Sequence, residues 1–145
     1  MRSSHDSNPI GKPGGLSRRA FLRARLYMDA HIGEPMRLDD IAKAAHLSRS
    51  HFARAFRVST GLSVMTYLRR LRIEKAKALL IERDISIADA SAMLGFAHQS
   101  HFSRLFRREV GMAPRMFVHL YGAPEPHTKP AEDRTDSPAR GKRKK

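Results

Sequence analysis

Two stretches of this chain are versions of one another, and that repeat constrains the fold more than any other feature. LDDIAKAAHLSRSHFARAFRVSTG over 38–61 aligns with IADASAMLGFAHQSHFSRLFRREVG over 87–111, at a shift of 49 residues in the first half and 50 in the second. Ser50-His51-Phe52 matches Ser100-His101-Phe102. Arg54 matches Arg104, Phe56 matches Phe106, Arg57 matches Arg107, and Gly61 matches Gly111. A chain that repeats a unit of this size builds the unit twice. In each copy the apolar residues recur at three and four, so each copy reads as a short helix, a tight turn and a second helix. The second copy holds one extra residue in its turn. Gly95 suits a turn that needs a positive φ, and His46 stands at the matching place in the first copy, where a side chain fits less well.

The rest of the chain fits around this repeat. The periodicity is helical throughout and no segment alternates as a strand does. Ser17 can cap a first helix to about residue 32, with Phe21, Ala24, Met28 and Ile32 on one face, and Gly33 and Pro35 stop it. Short helices are expected near 38–45, 49–59, 86–94 and 98–109. A long one spans about 63–83, with Val64, Leu68 and Leu71 on a stripe, and Tyr67, Leu79 and Leu80 read as packing residues. Pro114 suits the first turn of a last helix. Helix 38–45 has Arg37 where a cap would help, although Asp39 and Asp40 favour its N-terminus through the helix dipole. Ser86 and Asp89 have the spacing of a capping box. The fold class is therefore all-α: two helix-turn-helix subdomains, 38–60 and 86–110, joined by a linker helix over 63–83, about seven helices in all. The domain is expected over 17–121. Residues 1–16, rich in Ser, Gly and Pro, read as a disordered leader. Residues 122–145, dominated by Pro and charge, read as a disordered basic tail.

The second helix of each copy has two faces. At about 100° per residue, Phe52 and Phe56 fall on one side, with Ser50, Ala53, Arg54 and Arg57 opposite. Phe102 and Phe106 likewise oppose Ser100, Ser103, Arg104 and Arg107. Small residues between arginines allow close approach to a surface. Arginine can bond guanine O6 and N7 in a bidentate manner or clamp a phosphate. One such helix would pass for a solvated face, but the same pattern behind two helix-turns points to two DNA-reading helices. Charge agrees. The chain carries a net +14, and residues 17–121 alone hold 19 basic against 9 acidic side chains. The excess therefore lies in the folded part, where a polyanion partner would meet it. A linker of 21 residues would be about 30 Å long, close to the ~34 Å between successive major-groove faces on one side of a duplex.

Other chemistries are poorly provided for. The absence of cysteine removes disulfides, thiolate metal sites and thiol catalysis, and fits a reducing cytoplasm. No apolar run suits a signal peptide or the ~20 residues of a membrane span. His98 and His101 are three apart but lack further ligands, so no metal is expected. Ser4-His5-Asp6 lies in the leader and is not a triad, which needs spatial geometry. Lys142, Arg143, Lys144 and Lys145 suit either nonspecific phosphate attraction or a solvated tail.

The run GFAHQSHFSRLFRREVGMAPRMF over 95–117 resembles the signature of the AraC/XylS regulators: Gly-Phe, Phe-x-Arg-x-Phe-Arg, then Gly-x-x-Pro and a closing Phe. LSRSHFARAFRVSTGLSVMTYLRRLRIEKAKALL over 47–80 resembles the family's first unit and linker. The resemblance covers about 17–121 and implies two recognition helices in adjacent major-groove segments of double-stranded DNA. It implies transcription control, often activation through RNA polymerase as second partner. By position, base contacts would come from Ser50, Ala53 and Arg54 in the first unit, and from Gln99, Ser100, His101 and Arg104 in the second. Arg49, Arg57, Arg107 and Arg108 are phosphate candidates. Ala53 stands where some relatives carry a long polar reader, so first-unit readout is expected to be thin. Most relatives also carry a sensing or dimerisation domain for which this chain has no room, so it resembles the stand-alone small members, or a fragment of a longer regulator. No enzyme activity and no cofactor are expected. Binding as a monomer follows from the two-unit design, and a cytoplasmic, nucleoid-associated place is expected of a DNA binder with no signal peptide or membrane span. A nonspecific architectural DNA binder is the alternative.

Overall fold

The computed structural model describes residues 10–82 and 85–122. Among them are seven helices and no strand: α1 (Arg18–Ala30), α2 (Leu38–Ala44), α3 (Arg49–Thr60), α4 (Val64–Glu82), α5 (Ile87–Met93), α6 (Gln99–Val110) and α7 (Pro114–Tyr121). The all-α fold with two helix-turn-helix units is the one expected. Local chemistry sets the boundaries. Ser17, Ser48 and Ser86 each accept the backbone N–H three residues on, satisfying a donor that the first helical turn leaves open. Arg37 offers no such cap to α2, but Asp40 reaches back to its N–H at 3.2 Å. α3 and α6 both end on glycine in the left-handed region, Gly61 at φ 78° and Gly111 at φ 93°.

Two apolar clusters form, one per unit. The first gathers Ala20, Ala24 and Met28 of α1, Ile41 of α2, Phe52 and Phe56 of α3, and Val64, Leu68 and Leu71 of α4. The second gathers Ile73, Ala76 and Leu80 of α4, Ala90 of α5, Phe102, Leu105 and Phe106 of α6, and Phe117 of α7. Phe52, Phe56, Phe102 and Phe106 are each fully buried, which stabilises the fold by roughly 1.5–3 kcal/mol per ring. The clusters explain the linker. On a helix the residues 64, 68 and 71 lie nearly opposite 73, 76 and 80. The first half of α4 is thus a wall of one unit, and its second half, on the other side, a wall of the next. Only the first of these stripes was anticipated.

The structural repeat runs further than the sequence repeat. Phe52 and Phe56 lie 5.5 Å apart at 48°, and Phe102 and Phe106 lie 5.6 Å apart at 51°. Tyr67 of α4 meets Phe56 edge-on at 5.1 Å, and Phe117 of α7, fifty residues later, meets Phe106 edge-on at 5.4 Å. α7 is therefore the counterpart of the start of α4. The extra turn residue is also present. Four residues separate α2 from α3 and five separate α5 from α6. His46 (φ 64°) and Gly95 (φ 85°) are both left-handed, so His46 is held in a conformation that an L side chain disfavours.

One expectation is corrected. The leader assigned to 1–16 is not structureless over its described part. Gly11 N–H bonds Leu16 O at 2.9 Å, Leu16 N–H donates to Ser59 Oγ at 2.7 Å, and the Leu16 side chain is 1% exposed. A single leucine after the Gly-Lys-Pro-Gly-Gly run over 11–15 has no period to betray it, yet it closes the end of the first core. Residues 1–9, expected to be part of a disordered leader, and 123–145, expected to be a disordered basic tail, lie outside the described residues.

Candidate nucleic-acid interface

Burial of the phenylalanines decides what α3 and α6 present to solvent. With Phe52 and Phe56 turned inward, Arg49, Ser50, His51, Arg54 and Arg57 are exposed and Ala53 is half-buried. With Phe102, Leu105 and Phe106 turned inward, Gln99, Ser100, His101, Arg104, Arg107 and Arg108 are exposed. The residues singled out in the sequence thus form two sets, one on the outer face of each second helix.

The arginines differ in what they touch. Among the described residues the side chains of Arg54, Arg57, Arg104 and Arg107 make no hydrogen bond or ion pair. Their guanidinium groups are open to an incoming acceptor. Arg49 pairs with Asp39 at 3.6 Å, and Arg108 pairs with Glu109 at 3.5 Å; both arginine side chains remain 66% exposed. Contacts in water at that exposure hold little energy and are readily exchanged for a phosphate.

The second helix of each unit borders a groove. An open groove of about 590 Å³ is lined by Arg69, His101, Arg104, Leu105 and Arg108. A second, of about 300 Å³, is lined by Leu38, Ala53, Arg54, Arg57, Ser63, Val64 and Met65. The first adds a residue that sequence reasoning missed. Arg69 lies on α4, outside the repeat, so no matched partner marked it. Its Nη2 donates to Thr66 Oγ1 at 3.1 Å, leaving the rest of its fork toward the same groove as three basic residues of α6. The neighbouring arginines of α4 have structural duties. Arg70 pairs with Glu109 at 3.0 Å and ties the linker to α6. Arg72 donates from Nε to Ile32 O and from Nη2 to Glu34 O, both at 2.9 Å, and burial lowers its pKa from the ordinary arginine value. His101 meets Phe96 edge-on at 5.7 Å, which orients its ring at the start of α6. Among the described residues no three His, Asp or Glu side chains converge as a metal site would require, and no helix is long and apolar enough to cross a membrane.

A pair of helix-turn-helix units with basic, exposed second helices defines the class of DNA-binding regulators. The profile of the helix-turn-helix domain family matches residues 41–119. The transcriptional activator RhaS of Escherichia coli (strain SE11) is 36% identical over 89 residues, 61% of this chain and 32% of RhaS. A regulator with an AraC-type DNA-binding domain from Chromobacterium violaceum superposes with a TM-score of 0.68 at 30% identity, covering 73% of this chain and 95% of that one. The DNA-binding domain of AdpA, solved in complex with a target DNA, superposes with a TM-score of 0.66 at 27% identity, covering 72% and 94%. The chain belongs to the AraC/XylS family of transcription regulators and has the fold of their DNA-binding domain. That family and fold are those of DNA-binding regulators rather than of enzymes. The chain spans about a third of the length of the curated relatives it matches.

Proposed function

We propose that this protein is a sequence-specific regulator that binds double-stranded DNA as a monomer, with α3 and α6 in adjacent major-groove segments. The observation that carries the reading is the pair of unengaged arginines on each helix, Arg54 with Arg57 and Arg104 with Arg107, held outward by equivalent buried phenylalanines. Ser50, Ala53, Arg54, Gln99, Ser100, His101 and Arg104 face the bases in this reading. Arg49, Arg57, Arg107 and Arg108 face phosphates, and Arg69 joins them from the linker. α4, with 19 residues, is about 28 Å long, compatible with two readers roughly one duplex turn apart. Activation through RNA polymerase is the regulatory mode we assign, supported by the activator RhaS among the relatives.

Selection from a random duplex library of roughly 25 bp tests this, since that length holds two half-sites about 10 bp apart centre to centre. The expected result is a bipartite motif at that spacing. Retention of all duplexes without enrichment would overturn the reading in favour of an architectural binder, and a dimer in sedimentation without DNA would overturn the monomer.

A further inference from the structure

We propose that Gly33, Arg72 and Gly95 form a brace that locks the two helix-turn-helix units in one relative orientation, so that this chain demands a single half-site spacing. The inference rests on the two-helix reading above but concerns residues that face no DNA. The linker helix joins the two units through one element, packed into both cores. Here a second connection runs beside it. The α1–α2 loop of the first unit reaches across to the end of α5 in the second and meets it at Gly33. A Cβ on Gly33 would overlap the carbonyl oxygen of Met93, so the two backbones meet with no room for a side chain. Gly95, in the turn that precedes α6, faces the same loop. A Cβ there would lie 3.2 Å from Gly33 O and 3.5 Å from Arg72 Nη2, and its φ of +85° independently favours glycine.

Arg72 holds the loop in place. Its two donors take the carbonyls of Ile32 and Glu34, the residues on either side of Gly33, at 2.9 Å each. A planar fork bonded at two points fixes both position and direction of the loop. Ile32 packs against both apolar clusters, and Lys75 of α4 pairs with Asp29 of α1 at 3.5 Å. The first unit is therefore held by Arg72 and Lys75 near the middle of α4, whose second half is itself a wall of the second unit. Two rigidly joined readers have one separation and one angular offset. One added base pair shifts a half-site by about 3.4 Å and rotates it by roughly 35°. A braced pair cannot follow that change, whereas a pair on a free helix could.

The test uses two readouts. The unsubstituted protein, Arg72→Ala, Arg72→Lys and Gly33→Ala are compared on the bipartite duplex enriched from the library and on the same duplex with one base pair inserted between the half-sites. Wild type is expected to lose at least about tenfold in affinity on the insertion, the 1.4 kcal/mol a tenfold change represents. Arg72→Ala and Gly33→Ala are expected to lose under threefold, and Arg72→Lys an intermediate amount, because an ammonium lacks the planar fork that fixes the direction of both carbonyls. A merely destabilised fold would weaken both duplexes and leave their ratio unchanged. The second readout needs no DNA. The absence of cysteine allows a spin-label pair at Val58→Cys on α3 and Met116→Cys on α7, both exposed. The distance distribution is expected to be narrow with the brace intact and broad with Arg72→Ala or Gly33→Ala. An unchanged width in both variants would overturn the brace. So would an unchanged affinity ratio in both. A broadened distribution in a protein that enriches no bipartite motif would keep the brace and reject the two-helix reading instead.

Discussion

Arg104 and Arg107 sit three residues apart on the same exposed face, and each lacks a partner among the described residues. Their proposed targets differ, and so do the consequences of removing them. A guanidinium bonded to a base edge discriminates, while one bonded to phosphate only attracts. Arg104→Ala is expected to cost about 1–3 kcal/mol on the selected site and to relax preference at one base pair. Arg107→Ala is expected to weaken binding to all duplexes alike and to flatten the slope of log K against log salt by about 0.9. Equilibrium titrations of matched and single-mismatch duplexes at several salt concentrations check both. Equal weakening across sequences for Arg104→Ala would remove it from the base-reading set.

At the scale of elements, the two units are the same design executed with different local chemistry. His46 and Gly95 occupy one turn position, both left-handed, but only glycine does so without strain. The left-handed conformation disfavours an L side chain by about 1–2 kcal/mol, partly offset by the greater backbone freedom glycine loses on folding. His46→Gly is expected to raise the melting temperature by about 4 °C in calorimetry, using the usual sensitivity of a small domain. The helix starts differ the other way. Ser48 accepts the N–H of His51 at 3.2 Å, whereas His98 at the head of α6 makes no side-chain cap. His98→Ser is expected to stabilise the protein by about 1 kcal/mol, read as a higher urea midpoint with unchanged slope. A melting temperature unmoved by His46→Gly, or a midpoint unmoved by His98→Ser, would show that neighbouring contacts set these positions rather than local backbone chemistry.

At the scale of the whole molecule, the question is whether two small cores behave as one. Each cluster is built from only a few helices, and units of that size are marginal alone. They share α4, whose two opposite faces serve one core each, and they share Ile32. Melting one unit would strip a wall from the other. A single cooperative transition is expected, with calorimetric and van't Hoff enthalpies in agreement. Two resolved transitions would mean that the units fold independently and that the contacts across Gly33 are weak.

Much of this was legible in the chain because it depends on periods and spacings. The repeat, the seven helices, the outward arginines and the one-residue difference between the turns all follow from which residues lie three, four or fifty apart. Such relations survive any tertiary arrangement, since helical geometry alone puts Phe52 and Phe56 on the same side. The rest depended on contacts between residues far apart in sequence, for which a local pattern carries no signal. Leu16 was read as part of a leader, and it is core because Ser59 waits 43 positions away to bond its N–H. Arg69, Arg70 and Arg72 are three similar residues within four positions. Only packing decided that one lines a groove, one pairs with Glu109 and one grips the α1–α2 loop. The apolar stripe on the second half of α4 was hidden because the opposite stripe on the first half cancels its period. It took the second unit, folded against it, to say which face was inside.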